Sequence, residues 1–308
     1  MTRNRVSFTL TAVSILSLLC PVFGGPVPHP DASSMRIMTW VGISPEWQHT
    51  LHISGLRMGC SSAPQSCMKS ISSEGGGTKV FLAVLLKPET VDYGQQYSAL
   101  SLQNSSLVEI GLDDFVSQYY KLYKANAGDP RAVLSSFIDG IKSRNPKLQF
   151  GATIYENDFG TEYLSDKDLP PALRARFDMV HFFVHYRGNS PKYEQYVRQL
   201  KTLFPNAQLI GGVYAYDRIS YLPCLPNGQP CSVEQEMNYF SESVDSVTSL
   251  LKQGAISWIE IFPGLFGREA EWSDWKNPKL CSGRVPECAA NTQKMDQLVV
   301  AKIKQSLD

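Results

Sequence analysis

The sequence predicts a (β/α)₈ TIM-type barrel, a single domain over residues 35–308, behind a targeting segment. Three observations predict it. Short apolar runs recur, each ending in polar and aromatic residues: SLVEIGLDDF (106–115), LQFGATIYEND (148–158), FDMVHFFVHYR (177–187), AQLIGGVYAYDR (207–218) and AISWIEIFPG (255–264). Runs apolar on both faces are what parallel strands buried under helices require. Amphipathic helical patterns separate the runs, which is the alternation of an α/β fold. The third observation is size: roughly 280 residues remain behind the targeting segment, the usual length of one barrel. A doubly wound open sheet would carry a Gly-rich turn after its first strand, and none is present.

The elements follow in order. Residues 1–25 read as a secretory signal, with Arg3 and Arg5 in a positive n-region, an apolar h-region from Val6 to Leu19, and small residues at Gly24 and Gly25. That run is short for a membrane span, and no other stretch is long and apolar enough to be one. Residues 26–34 are a Pro-rich extended segment. Met35–Val41 is the first strand candidate, ending at Trp40. A helix near Pro45–Leu51 and a weak strand within residues 51–59 follow. The glycines at 75–77 make a turn and lack the remainder of a phosphate loop. Thr78–Leu86 is a strand, and 88–105 a loop without clear period. After the 106–115 run come helices at Val116–Ala125 and Arg131–Ser143, the strand Leu148–Tyr155, a short helix at Leu169–Phe177 and the strand beginning at Phe177. The helix Pro191–Leu203 and the strand Ala207–Tyr214 come next. A long helix, Glu234–Gln253, has Gly254 placed as its cap, and the strand Ile256–Phe262 follows it. Residues 264–290 read as a loop, and Gln293–Leu307 as the closing helix. Seven good strands and one poor one make the count a barrel needs.

Composition excludes some partners. Lys+Arg and Asp+Glu number 29 each and the net charge is zero. No basic run or global field therefore favours nucleic acid or an anionic membrane. Cys20 leaves with the signal. The other six cysteines form three pairs of equal spacing: Cys60 and Cys67, Cys224 and Cys231, Cys281 and Cys288. Polar, Pro-containing segments separate each pair, which favours three local disulfides in an oxidising compartment. The spacing is wider than common zinc motifs, so no metal and no cofactor is expected. Asn104-Ser-Ser is the only glycosylation sequon.

Chemistry concentrates where the strands end, the mouth of a barrel. Asp113, Asp114, Glu156 and Glu260 are the candidate catalytic carboxylates. Trp40, Tyr155, Tyr186, Arg187, Tyr214, Tyr216, Asp217 and Trp258 are candidates to bind substrate. Two carboxylates among aromatic walls are what glycoside hydrolysis needs, one protonated and one ionised. The alternatives are also physical. Asp113 and Asp114 can cap the following helix, and Glu156 sits in a polar turn beside Asp158. Glu260, between Ile259 and Ile261, is costly to bury without a partner, so it faces either the barrel interior or a helix. His181 and His185 alternate on one strand face without a third ligand.

Residues 79–86, the run QLIGGVYAYDR and SWIEIFPG lie where the chitinase family of barrel glycosidases has its third, seventh and last strands, and the layout resembles that family. In the frame of the family's Asp-x-Asp-x-Glu signature stand Glu109, Gly111 and Asp113, and its Met-x-Tyr-Asp becomes Val184-His-Tyr186-Arg187. The resemblance implies a barrel acting on glycans, with Asp113 at the acid's place, a carboxylate missing at Gly111, and Trp258 flooring the sugar site. The expectation is therefore a secreted glycoside hydrolase of a poly- or oligosaccharide, the alternative a carbohydrate-binding barrel without catalysis. The sequence assigns no sugar, linkage or oligomeric state.

Overall fold

The computed structural model describes residues 36–40, 45–74, 78–87, 91–124, 128–217, 224–265 and 285–307. Eight parallel strands close into one barrel in sequence order. They are β1 (Ile37–Thr39), β2 (Gly55–Cys60), β3 (Lys79–Val84), β4 (Leu107–Leu112), β5 (Gln149–Tyr155), β6 (Met179–Phe183), β7 (Gln208–Tyr214) and β8 (Trp258–Phe262). β1 closes the ring on β8, with Met38 opposite Glu260. The helices are α1 (Pro45–Thr50), α2 (Pro64–Glu74), α3 (Tyr93–Ser101), α4 (Phe115–Lys124), α5 (Pro130–Lys142), α6 (Pro171–Arg174), α7 (Tyr193–Leu203), α8 (Val233–Lys252) and α9 (Val285–Leu307). The weak strand expected within residues 51–59 is β2.

Local chemistry explains several ends. Asp129 accepts a hydrogen bond from the Arg131 amide at the start of α5, and Pro130 occupies its first turn. Ser232 and Gln235 form a capping box at α8. Gly254, at φ 68°, follows that helix in the left-handed region.

Two expectations are corrected. The segment 88–105 contains α3 rather than a loop. Its buried positions include Gly94, Ser98 and Ser101, and a Cβ at Gly94 would lie 2.5 Å from the Phe137 carbonyl oxygen of α5. Beside one large buried side chain, Tyr97, α3 packs through small residues on backbone, so it carries no large apolar period. The closing helix begins at Val285, not at 293, extending through a stretch that reads as loop. Its Pro286 lies in the first turn, where proline is tolerated.

Two expected disulfides are present, Cys60–Cys67 and Cys224–Cys231. Cys288 is disulfide-bonded, and Cys281 lies outside the described residues, as do the signal segment and residues 26–34. Among the described residues, no helix is long and apolar enough to cross a membrane.

The barrel interior is layered. Met38, Phe81, Met179, Ile210 and Trp258 form an apolar floor at the N-terminal end of the strands. Above them lies a layer of buried charge, and above that the mouth.

Candidate active site

The charged layer comes from four strands. Arg57 of β2, Glu109 of β4, His181 of β6 and Glu260 of β8 are all buried. His181 Nδ1 lies 2.5 Å from Glu260 Oε2, and its Nε2 lies 2.9 and 3.0 Å from the two Glu109 oxygens. The Arg57 guanidinium sits 3.5 Å from both Glu260 oxygens and donates to Thr153 Oγ1 at 2.7 Å. Trp40 Nε1 donates to Glu260 Oε1 at 2.5 Å, and its ring lies over Arg57. Glu260 thus faces the barrel interior and meets an arginine, as its costly burial requires.

Backbone geometry makes room for this layer. The register of β3 against β4 shifts between Val80 and Phe81, whose partners are Leu107 and Glu109. The residue skipped is Val108, which packs beside the apolar floor. A bulge of this kind re-aims the side chains that follow it, and Glu109 points inward just above. There it fills the space over two glycines. A Cβ at Gly151 would lie 1.9 Å from Glu109 Oε1, and one at Gly111 2.5 Å from it.

Electrostatics sort the carboxyls. Burial alone would raise Glu260, but Arg57, His181 and Trp40 together hold it below the ordinary carboxylate range. Asp113, just past β4, goes the other way. Burial pushes its pKa up, Asp114 and Glu260 add to this, and Arg57 and a hydrogen bond with Thr153 offset only part. Burial and Arg57 work to lower His181, and Glu109 and Glu260 raise it above the ordinary imidazole value.

Asp114 is exposed and adopts φ 45°. Left-handed backbone is uncommon for a residue other than glycine and frequent near functional sites. Successive strand residues point to opposite faces. This turn brings the second carboxylate back over the mouth, where Tyr155 Oη donates to Asp114 Oδ1 at 2.7 Å. Burial keeps the Tyr155 phenol protonated, with its pKa well above the usual tyrosine range. Tyr214 and Phe262 pack together beside Trp40 and Phe183, giving the mouth an aromatic wall.

Of the other expected site residues, several turn to backbone groups and α9, while Tyr216 packs on the wall itself, against Tyr214 and Phe262. Glu156 accepts hydrogen bonds from the backbone amides of His185 and Tyr186 and from Asn189 Nδ2 at 3.1 Å, and so holds the turn after β6. Arg187 is buried against Glu236 and the carbonyls of Tyr214 and Tyr216. Asp217 is buried against Asn291 and Thr292 of α9, and Tyr216 packs with Cys288 and Ala289. Tyr186 stands against the His185 ring. Trp258 belongs to the apolar floor, below the charged layer, rather than to the mouth. Arg57, Glu109, Thr153 and His181 belong to the central cluster and were not among the expected site residues. The signal for His181 and Glu109 was present: each is a polar residue inside an apolar strand. Among the described residues, no cluster of His, Cys, Asp and Glu is arranged to hold a metal ion.

No protein-family profile matches the sequence, and no curated protein does. Solved structures do resemble it. The glucosidase from Croceicoccus marinus superposes with a TM-score of 0.51 at 9% identity, over 89% of this chain and 69% of its own. The GH53 catalytic domain of Ignisphaera aggregans gives a TM-score of 0.51 at 10% identity, over 77% of this chain and 86% of its own. A GH18 chitinase from Pseudoalteromonas aurantia gives 0.49 at 12% identity, over 83% and 99%. At such identities the likeness is one of fold. The protein is a closed eight-stranded parallel barrel of the kind that glycoside hydrolases use, in keeping with the resemblance read from its strand ends.

Proposed function

We propose that this protein is an exported glycoside hydrolase, cutting a poly- or oligosaccharide at the barrel mouth with Asp113 as its general acid. One observation carries the reading: a half-buried carboxyl at the end of β4 is pushed up in pKa, while buried Glu260, one of the groups that pushes it, is itself held down. Opposite displacement of neighbouring carboxyls is how one site keeps an acid and an anion at the same pH. The glycosidic C–O bond would break as its oxygen takes the Asp113 proton. Water would supply the hydroxyl group to the anomeric carbon and pass its proton to Asp114, the solvent-facing carboxylate that Tyr155 orients. Glu260, sealed by Trp40, His181 and Arg57, would act through the field it sets at the mouth. The aromatic wall suits stacking on sugar faces. Two disulfides support export. Asn104, before β4 and so at the end of the barrel opposite the mouth, would carry any N-glycan clear of the site.

The test is hydrolysis of a broad glycan panel by the wild type and by Asp113→Asn. We expect cleavage by the wild type and a loss in kcat of at least about a hundredfold in the variant, the scale of one general acid, with affinity held within about tenfold. Direct attack by water inverts the anomeric carbon, so we expect NMR to show the inverted anomer released first; the retained anomer would overturn the role of Asp114 as the base. A second reading, a carbohydrate-binding barrel without catalysis, is favoured by Gly111, which stands where the resembling family has a carboxylate. Binding to some glycans with cleavage of none would establish it.

A further inference from the structure

The buried layer raises a question of proton count. An ionised carboxylate only accepts hydrogen bonds, and a neutral imidazole has one N–H to give. Both His181 nitrogens lie against carboxyl oxygens, at 2.5 Å and 2.9 Å. With a neutral ring and two carboxylates, one nitrogen lone pair would face an oxygen lone pair in a buried, low-dielectric place. The cluster therefore carries one proton more than that state. Glu260 is the poorer seat for it, since Trp40 donates to its Oε1 and the Arg57 guanidinium stands 3.5 Å from both of its oxygens, and both contacts favour the anion. The choice lies between His181 and Glu109.

Tyr193 of α7 lies in the field of Glu260 and stays a protonated phenol, donating to the Phe182 and Gly212 carbonyls. Phe81 of β3 presents an edge-to-face contact to the His181 ring. Arg57 of β2 balances Glu260, which leaves Glu109 as the anion available to an imidazolium. Beyond Arg57, the chain of contacts continues to the mouth. The guanidinium donates to Thr153 Oγ1, so the Thr153 hydroxyl is left to donate onward, on the side of Asp113, whose pKa it lowers. Asp114 and Tyr155 are the remaining titratable neighbours of Asp113.

We infer that His181 is a positioning residue: an imidazolium clamped between Glu109 and Glu260 that keeps the buried layer neutral and, through Glu260, Arg57 and Thr153, sets the proton affinity and orientation of Asp113. Its catalytic consequence rests on the reading of Asp113 as the acid. Its physical content does not, because the charge balance exists whether or not a glycan is cleaved. Removing the imidazolium while Glu109 stays ionised leaves the layer one negative charge in excess. At about 10 Å and an effective dielectric constant of about 20, one charge raises a carboxyl pKa by roughly one unit. Removing Glu109 as well restores neutrality.

The experiment uses the full protein labelled with ¹⁵N-histidine and with ¹³C-carboxyl aspartate. In the wild type we expect both His181 ring nitrogens to carry a proton from about pH 6 to about pH 9, across the range where an ordinary histidine loses its charge. A single ring proton on His181 at neutral pH overturns the inference, and requires no variant to fold. The Asp113 carboxyl, assigned through Asp113→Asn, is then titrated in the wild type, in His181→Gln and in Glu109→Gln/His181→Gln. We expect a rise of about one unit in the single variant and a return to near the wild-type value in the double. A rise that persists in the double variant, or no rise at all, overturns the charge-balance role. If a cleaved glycan is found, the alkaline limb of the kcat/KM profile moves in the same sense. If none is found while the resonances behave as expected, the hydrolase reading fails and the clamp stands.

Discussion

Replacing Arg57 with Met removes the cation that faces Glu260 while keeping a long apolar side chain in the space. Both residues are fully buried, and Arg57 also holds Thr153. Without it, Glu109 and Glu260 share one imidazolium, and a net negative charge is left inside the barrel. Breaking a buried ion pair by removing one partner costs about 3–5 kcal/mol. For a domain of this size that corresponds to a fall in Tm of roughly 6–10 °C. The pH dependence has a definite sign. Glu260 is held below its ordinary pKa in the folded protein. Its contribution is therefore present above the unfolded value, about 4.3, and is lost as pH falls through the folded one. The variant lacks much of that depression, so its deficit is widest near neutrality and narrows towards about pH 4. Urea unfolding of the wild type, Arg57→Met, Glu260→Gln and the double variant, at about pH 7 and pH 4.5, measures both the cost and the coupling. A deficit below about 1 kcal/mol at neutral pH, or one that widens on acidification, would refute the assignment of Arg57 as the counter-ion of the buried layer.

Three further outcomes follow from named contacts. Gly151→Ala puts a methyl group 1.9 Å from Glu109 Oε1, so we expect a clear fall in Tm that Glu109→Asp, by shortening the chain, partly reverses; equal falls in the single and double variants would show that the two sites do not meet. Asp158, whose pKa burial raises to about 7, is more stable in place when protonated, and that stability is lost as pH rises through about 7. Asp158→Asn should then gain on the wild type between about pH 5 and pH 8 in urea titrations, and a gain that shrinks over that interval would contradict it. Opening one eight-residue disulfide loop, as in Cys224→Ser/Cys231→Ser, should cost about 2.5 kcal/mol by chain entropy; peptide mapping without reductant should recover the third expected bridge, Cys281–Cys288, and a free thiol at Cys281 would exclude it.

The barrel was legible in the sequence because parallel strands covered on both sides leave continuous apolar runs, and eight of these alternate with helical periods. Even the poorly marked run within 51–59 is a strand, interrupted in the sequence by Arg57, a charged residue that pairs inside the barrel. α3 was illegible because only Tyr97 among its buried residues is large, and Gly94, Ser98 and Ser101 leave no hydrophobic signature. The candidate site was legible as a place, the ends of the strands, and at two positions as a pair of alternatives. Glu260 had either to face inward or to pair with a helix, and Asp113–Asp114, open to a role in the site or to capping the next helix, stands just past the end of β4.

What the sequence could not supply is which polar groups meet. Arg57 and Glu260 are 203 residues apart, and His181 is 72 from Glu109 and 79 from Glu260. Closure of the ring, the skipped residue at Val108 and the space over Gly111 and Gly151 bring them within hydrogen-bonding reach. The same closure directs Glu156, Arg187 and Asp217 to backbone amides, carbonyls and α9, and leaves Trp258 on the floor. A strand's own pattern determines that a residue is buried. Only the neighbouring strands, their register and their bulges determine what it is buried against, and the chemistry depends on that.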